Sequence, residues 1–213
     1  DRFLDFAIWR TTWELADVWL PALEAGETDF DGDVSHLTFA LQAAADRTNL
    51  NSGDSSKSVA SRLLDLIFAD TMNRQQRNNS SRVVAALATP AELQKVLTHA
   101  VSVETKPTLR SMCVSLLLHA AESRRLRPDS IEGSLKTIAE SRGGKLTEVV
   151  LLAGYWKDVS WDPLLAELAR GEDEETALAA IRSIGLLGRD DDESLLSQLA
   201  AESLSPSRRM ASV

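Results

Sequence analysis

Pro163-Leu164-Leu165-Ala166-Glu167-Leu168-Ala169 is followed, across an acidic break, by Ala177-Leu178-Ala179-Ala180-Ile181-Arg182-Ser183-Ile184-Gly185-Leu186-Leu187-Gly188. Asp162-Pro163 opens the first segment as a cap plus a proline whose missing N–H costs nothing at a helix start. Gly171 and Gly188 stand where the two helices should stop. The acidic residues Glu172–Glu175 precede the second helix, where the macrodipole favours negative charge. Two short amphipathic helices joined by a tight turn are therefore expected. The same period runs outward along the chain. Leu93, Val96, Leu97, Ala100 and Val101 fall at offsets 0, 3, 4, 7 and 8. Leu109, Met112, Cys113, Leu116, Leu117 and Ala120 repeat that pattern, and so does the run Leu146, Val149, Val150, Ala153. Each set lays an apolar stripe along one side of a helix, and no stretch alternates with the period of a strand. The chain reads as all-α.

Boundary chemistry organises these helices into pairs. Thr89-Pro90-Ala91-Glu92 is a capping box, and Ser205-Pro206 is a further cap-plus-proline start. Pro107 and Pro128 are expected to open helices too. The signals predict helices at about 58–69 with 72–88, 90–101 with 107–124, 129–140 with 145–157, and 162–170 with 173–187. A last pair begins near residue 192. First helices thus recur every 30 to 39 residues or so, an interval that marks a solenoid, in which neighbouring units must stack to bury their stripes. The unit at 163–188 resembles the HEAT repeat, with its "PLL..L" first helix and its "A..AI..LG.LG" second helix. The resemblance implies a right-handed α-α superhelix, armadillo-like, of about five to six helix pairs. Small residues at Ala177, Ala180 and Gly185 are expected to let neighbouring helices approach closely.

The first 50 residues differ. Phe3, Phe6, Trp9, Trp13 and Trp19 make an aromatic-rich helical segment, read as a capping helix pair with a kink at Pro21. The domain reading is residues 1–50 as capping helices and 51–213 as one continuous repeat array with a truncated last unit. Asn49–Lys57 is expected to be the flexible loop.

Charge narrows the partners. The net charge of −9 argues against nucleic acid and against an anionic membrane surface. Arg124-Arg125-Leu126-Arg127 is too short a basic run to supply a nucleic-acid stripe. No apolar run approaches the roughly 20 residues that cross a bilayer. The chain opens Asp1-Arg2-Phe3 and reads as a piece of something longer.

Candidate chemistry is sparse. Asp29-Phe30-Asp31-Gly32-Asp33 invites a calcium reading, but an EF-hand frame on Gly32 puts Thr38 where a bidentate Glu is required. A solvated acidic turn is the plainer reading. His36, His99 and His119 match no metal-ligand spacing. The single cysteine, Cys113, lies on an apolar stripe and reads as a buried, inert thiol. No phosphate loop, nucleophile elbow or paired-carboxylate motif is present. The chain is therefore expected to be non-catalytic and to carry no cofactor of its own.

Trp9, Trp13, Trp19, Tyr155, Trp156 and Trp161 are the candidate interface residues. The N-terminal tryptophans read either as the core of the first pair or as anchors docking a neighbouring domain. Tyr155, Trp156 and Trp161 converging in a concave groove would instead favour a small-molecule-binding or enzyme accessory domain. A truncated last pair predicts an exposed apolar face at Leu195, Leu196 and Leu199, a candidate homodimer contact.

The stretches Asp1-Arg2-Phe3-Leu4-Asp5-Phe6-Ala7-Ile8-Trp9-Arg10, Trp19-Leu20-Pro21-Ala22-Leu23 and His36-Leu37-Thr38-Phe39-Ala40-Leu41-Gln42-Ala43 resemble a segment of large planctomycete-type proteins. Those proteins join a dehydrogenase-like β-propeller, a HEAT-repeat region and a c-type heme domain with a CxxCH motif. The resemblance implies a helical connector between flanking domains of a heme-binding protein outside the cytoplasm. It carries no heme residue over, because Cys113 is followed by Val114-Ser115-Leu116.

Overall fold

The computed structural model describes residues 2–24, 27, 28, 30, 33–48, 55–69, 72–141, 145–202 and 206–211. Among them every regular element is helical, and no helix is long and apolar enough to cross a membrane. The elements are α1 (Arg2–Glu14), α2 (Ala16–Glu24), α3 (Val34–Thr48), α4 (Ser55–Phe68), α5 (Arg74–Leu87), α6 (Pro90–Val101) and α7 (Pro107–Arg124). They continue with α8 (Ser134–Ala139), α9 (Leu146–Trp156), a 3-10 turn (Val159–Trp161), α10 (Asp162–Arg170), α11 (Glu174–Leu187), α12 (Asp190–Glu202) and α13 (Pro206–Ala211). The chain forms two compact units, Asp1–Glu92 and Leu93–Val213.

In the first unit α3 is the hub: α1, α2, α4 and α5 all rest on it, and α4 packs on α5. Leu41, Ala43 and Ala44 of α3, Val59, Leu63 and Ile67 of α4 and Val84 of α5 are all fully buried where these helices pack. The division expected at residue 50 would separate α3 from α4, two elements that pack on each other here. The Gln76 amide of α5 donates to Ser35 Oγ of α3 at 2.9 Å, joining the starts of the two helices. The break between α1 and α2 falls at Leu15, and Pro21 sits inside α2 rather than between helices. Of the acidic loop, Asp33 is described and serves as a helix cap; Asp29, Asp31 and Gly32 lie outside the described residues. The loop expected at 49–57 lies outside them up to residue 54, and Ser55–Lys57 already belong to α4.

The expected capping box at the start of α6 is present. The Thr89 N–H and hydroxyl donate to Glu92 Oε2 at 2.8 and 2.9 Å, and the Glu92 N–H donates back to Thr89 Oγ1 at 3.3 Å. Such a box satisfies helix-start donors that would otherwise be orphaned, at about 1 kcal/mol.

In the second unit α9 lies between α7 and α11 and packs on both, while α8 packs on α9 and α10 on α11. α11 also meets α12 and α13, which pack on each other. Arg110 is buried, and its Nε and Nη2 donate to the Ala100 and Ser102 carbonyls at 3.0 and 2.7 Å. A cation thus closes the C-terminal end of α6, where carbonyls are left over and the dipole is negative.

Three expectations need correction here. Pro128 opens no helix: the chain stays irregular to Gly133, whose φ of 68° breaks the period, and α8 starts only at Ser134. Gly185 is not a point of close approach, because a Cβ placed there meets nothing within 4 Å. The tight glycine is Gly154, where a Cβ would come within 2.6 Å of Ser183 Cα. Finally, α12 does not leave an open leucine face. Leu199 is buried and Leu195 and Leu196 are half-buried, because α10, α11 and α13 pack on α12.

Candidate functional site

The six aromatic candidates separate into three environments. Trp156 and Trp161 are core residues, 2% and 5% exposed, and are withdrawn from any interface or groove. The reason is periodic. Trp156 continues the stripe of Val149 and Ala153, and Trp161 leads that of Leu165 and Ala169. Trp9, Trp13 and Trp19 are half-buried. Trp9 stacks on Phe6 and on Trp13 at 6.4 and 6.2 Å between ring centroids, and Trp19 donates from Nε1 to the Thr12 carbonyl at 2.9 Å. α1 nevertheless buries no residue fully, and Phe3 is 87% exposed, so the rings do not close a core around α1. Tyr155 lies one position off the buried stripe and faces outward.

Tyr155 is the centre of the best-defined polar cluster. Its hydroxyl donates to Glu122 Oε1 at 3.2 Å. Arg182 Nη2 donates to both that carboxylate oxygen, at 2.9 Å, and the Tyr155 hydroxyl oxygen, at 2.7 Å. The Arg125 and Arg182 guanidinium carbons lie 4.9 and 5.7 Å from the Tyr155 ring centroid, within cation–π range. Arg125 is aimed there by its left-handed backbone, φ 56°, at the C-terminal end of α7. Partial burial raises the Tyr155 hydroxyl above its usual range, against the pull of the Arg182 charge. It remains a neutral donor at physiological pH. One network therefore takes a carboxylate from α7, a phenol from α9 and a guanidinium from α11.

Packing beneath the network holds the three helices in register. Ser115 of α7 donates to Glu148 of α9 at 2.9 Å, two turns before the Glu122–Tyr155 bond and at the same sequence separation of 33. Thr147 and Thr176 are hydrogen-bonded 29 residues apart, a separation that Gly154 and Ser183 repeat two turns later. Ser183 is fully buried, with its hydroxyl 2.8 Å from the Val150 and Ala179 carbonyls. Gly154 lets α9 come close enough for that bond. α7, α9 and α11 thus run parallel at constant offsets.

Other polar and titratable groups form no comparable network among the described residues. A cleft of about 370 Å³ is lined by Arg127, Asp129, Ser130, Glu132, Asp158 and Ser160. Asp158 there accepts from the Ser160 N–H and hydroxyl, and Arg127 donates to the Trp156 carbonyl. Burial pushes the Cys113 thiol up to about 12, which leaves it protonated and poorly nucleophilic. No group of three His, Cys, Asp or Glu side chains among the described residues is placed to hold a metal ion.

Glu122, Arg125 and Arg182 were not legible as partners in the sequence. The nearest signal was polar interruption: Arg182 is the one charged residue in the run from Ala177 to Leu187. Compared with protein-family models, with curated proteins and with solved structures, the chain matches none of them.

Proposed function

We propose that the chain is a non-catalytic scaffold of the HEAT-like, right-handed superhelical kind, and that the face formed by α7, α9 and α11 docks a protein partner. The observation that carries this reading is the Glu122–Tyr155–Arg182 network, which spans three helices. Parallel stacking of successive helices is what a repeat array requires, and the separations of 33 residues between α7 and α9 and 29 between α9 and α11, each repeated two turns on, support it. Pairing of α8 with α9 and of α10 with α11 supports the same arrangement. An exposed face built from several repeats suits an extended partner, and Tyr and Arg are the side chains enriched at such contacts.

On the resemblance to planctomycete-type proteins, the partner is a flanking domain of a larger extracytoplasmic heme or dehydrogenase-like protein. The rival reading, an enzyme accessory domain, loses two of the aromatic residues it needed, since Trp156 and Trp161 are inside.

Face-selective photo-cross-linking tests the proposal. A photoreactive side chain at His119 or Leu178, one turn from Glu122 and Arg182, should capture a protein in the native extract. Lys136 or Glu167, on α8 and α10, should not. Tyr155→Ala combined with Arg182→Ala should abolish the capture. Equal yields from both sets of positions, or capture indifferent to the double substitution, would sink it.

A further inference from the structure

The Tyr155 corner holds more cationic donor capacity than it has carboxylates to fill it. Glu122 shows that a carboxylate oxygen fits between Arg182 Nη2 and the Tyr155 hydroxyl, at 2.9 and 3.2 Å. Arg125 adds a second guanidinium that, among the described residues, is engaged by the Tyr155 ring alone. A guanidinium has five N–H donors, and stacking on a ring leaves its edge open to a planar anion. The residues that meet Tyr155 are thus two arginines and one glutamate. The chain as a whole carries −9. The charge in direct contact with Tyr155 is therefore net positive, in a chain that is net negative.

We infer that Arg125 and Arg182, flanking Tyr155, anchor an acidic peptide segment of the partner, with Glu122 standing in for its carboxylate when the partner is absent. This rests on the docking face proposed above and names the chemistry of what docks there. An incoming Asp or Glu takes Arg182 from Glu122 or bridges it to Arg125, and the stacked guanidinium planes favour two parallel N–H···O bonds to one carboxylate. The intramolecular Glu122 contact is the competitor that the peptide displaces.

The opposed signs of corner and molecule give a sharp test. The full chain, labelled with 15N, is titrated at low salt with acetyl-hexaglutamate amide, and separately with acetyl-hexalysine amide and with inorganic phosphate. The Nε–H resonances of Arg125 and Arg182 report. Hexaglutamate should shift both saturably, hexalysine should not, and 300 mM salt should weaken binding at least several-fold. Glu122→Gln should tighten hexaglutamate binding several-fold by removing the competitor. Arg125→Gln and Arg182→Gln should each weaken it about tenfold. A purely structural network would show none of this dependence on Glu122. Absence of a saturable shift, a stronger response to hexalysine, no effect of Glu122→Gln, or saturation by phosphate with none by hexaglutamate would each overturn the acidic-peptide assignment. If cross-linking from Leu178 still succeeds in that case, the docking face stands and only its chemistry is wrong; if both fail, so does the scaffold reading.

Discussion

Two clusters of aromatic residues, one near the N-terminus and one between α9 and α10, meet opposite fates. Trp9 and Trp13 stack on each other along α1, a helix with no fully buried residue, whereas Trp156, at the end of α9, is 2% exposed. Both sets continue a helical stripe. What separates them is the number of neighbours: α9 has α7 on one side, α11 on the other and α8 against it, while α1 has α2 and α3. A tryptophan on a flanked helix loses water from every direction; on a helix covered along one side it can cover only its own neighbours. Aromatic content therefore predicts burial poorly unless the flanking helices are known.

The sharpest way to break this comparison is to delete the rings. Trp156→Ala should cost about 3–5 kcal/mol, the usual penalty for emptying a large core site. Trp9→Ala should cost about 1 kcal/mol or less, because its ring already meets water. Urea denaturation of both variants checks the contrast, and similar midpoints would erase it.

A smaller effect comes from the two helical glycines. Gly154→Ala should destabilise by about 1–3 kcal/mol, since the new methyl group would overlap Ser183 and force α9 from α11. Gly185→Ala should do the reverse and stabilise by up to about 1 kcal/mol, because its surroundings are open and alanine prefers the helix. Opposite shifts in melting temperature are expected; shifts of the same sign would mean that the close approach is not there.

The smallest effect lies in the first unit. Asp33 accepts from the Ser35 and His36 N–H groups at 2.7 and 3.2 Å, and the His36 and Ser35 backbone bonds hold its carboxyl below the usual range. A depressed folded-state pKa stabilises above the unfolded value and loses that contribution as pH falls through the folded value. Asp33→Asn keeps the cap without the charge. It should match the parent in acid and fall slightly behind it above about pH 4. Thermal melts from pH 3 to 7 test this, and a deficit confined to acid would contradict it.

Much of the local structure was written in the sequence. Thr89 and Glu92 form the capping box their spacing implied, Gly171 and Gly188 follow the last residues of α10 and α11, and Asp173 caps α11 at the acidic break. The stretch before α8 was misread because Ile131 stands at helical spacing from Leu135, Ile138 and Ala139, while Gly133 in the left-handed region stops the helix from reaching it. For the candidate site, Tyr155 was singled out only as one of three aromatics that could converge in a groove, together with Trp156 and Trp161, which are buried. Its partners were not legible.

Helical period, caps and breaks are decided within four or five residues, so the residues themselves settle where each helix begins and what stripe it carries. Which stripe is covered, which glycine is crowded and which charges meet depend on side chains 27 to 60 positions apart, as in Arg182 with Tyr155 and Glu122. Those pairings arise only when helices lie side by side, and no property of either segment alone encodes the distance between them. Tertiary packing thus made Tyr155 a meeting point and put Trp156, its immediate neighbour in sequence, inside.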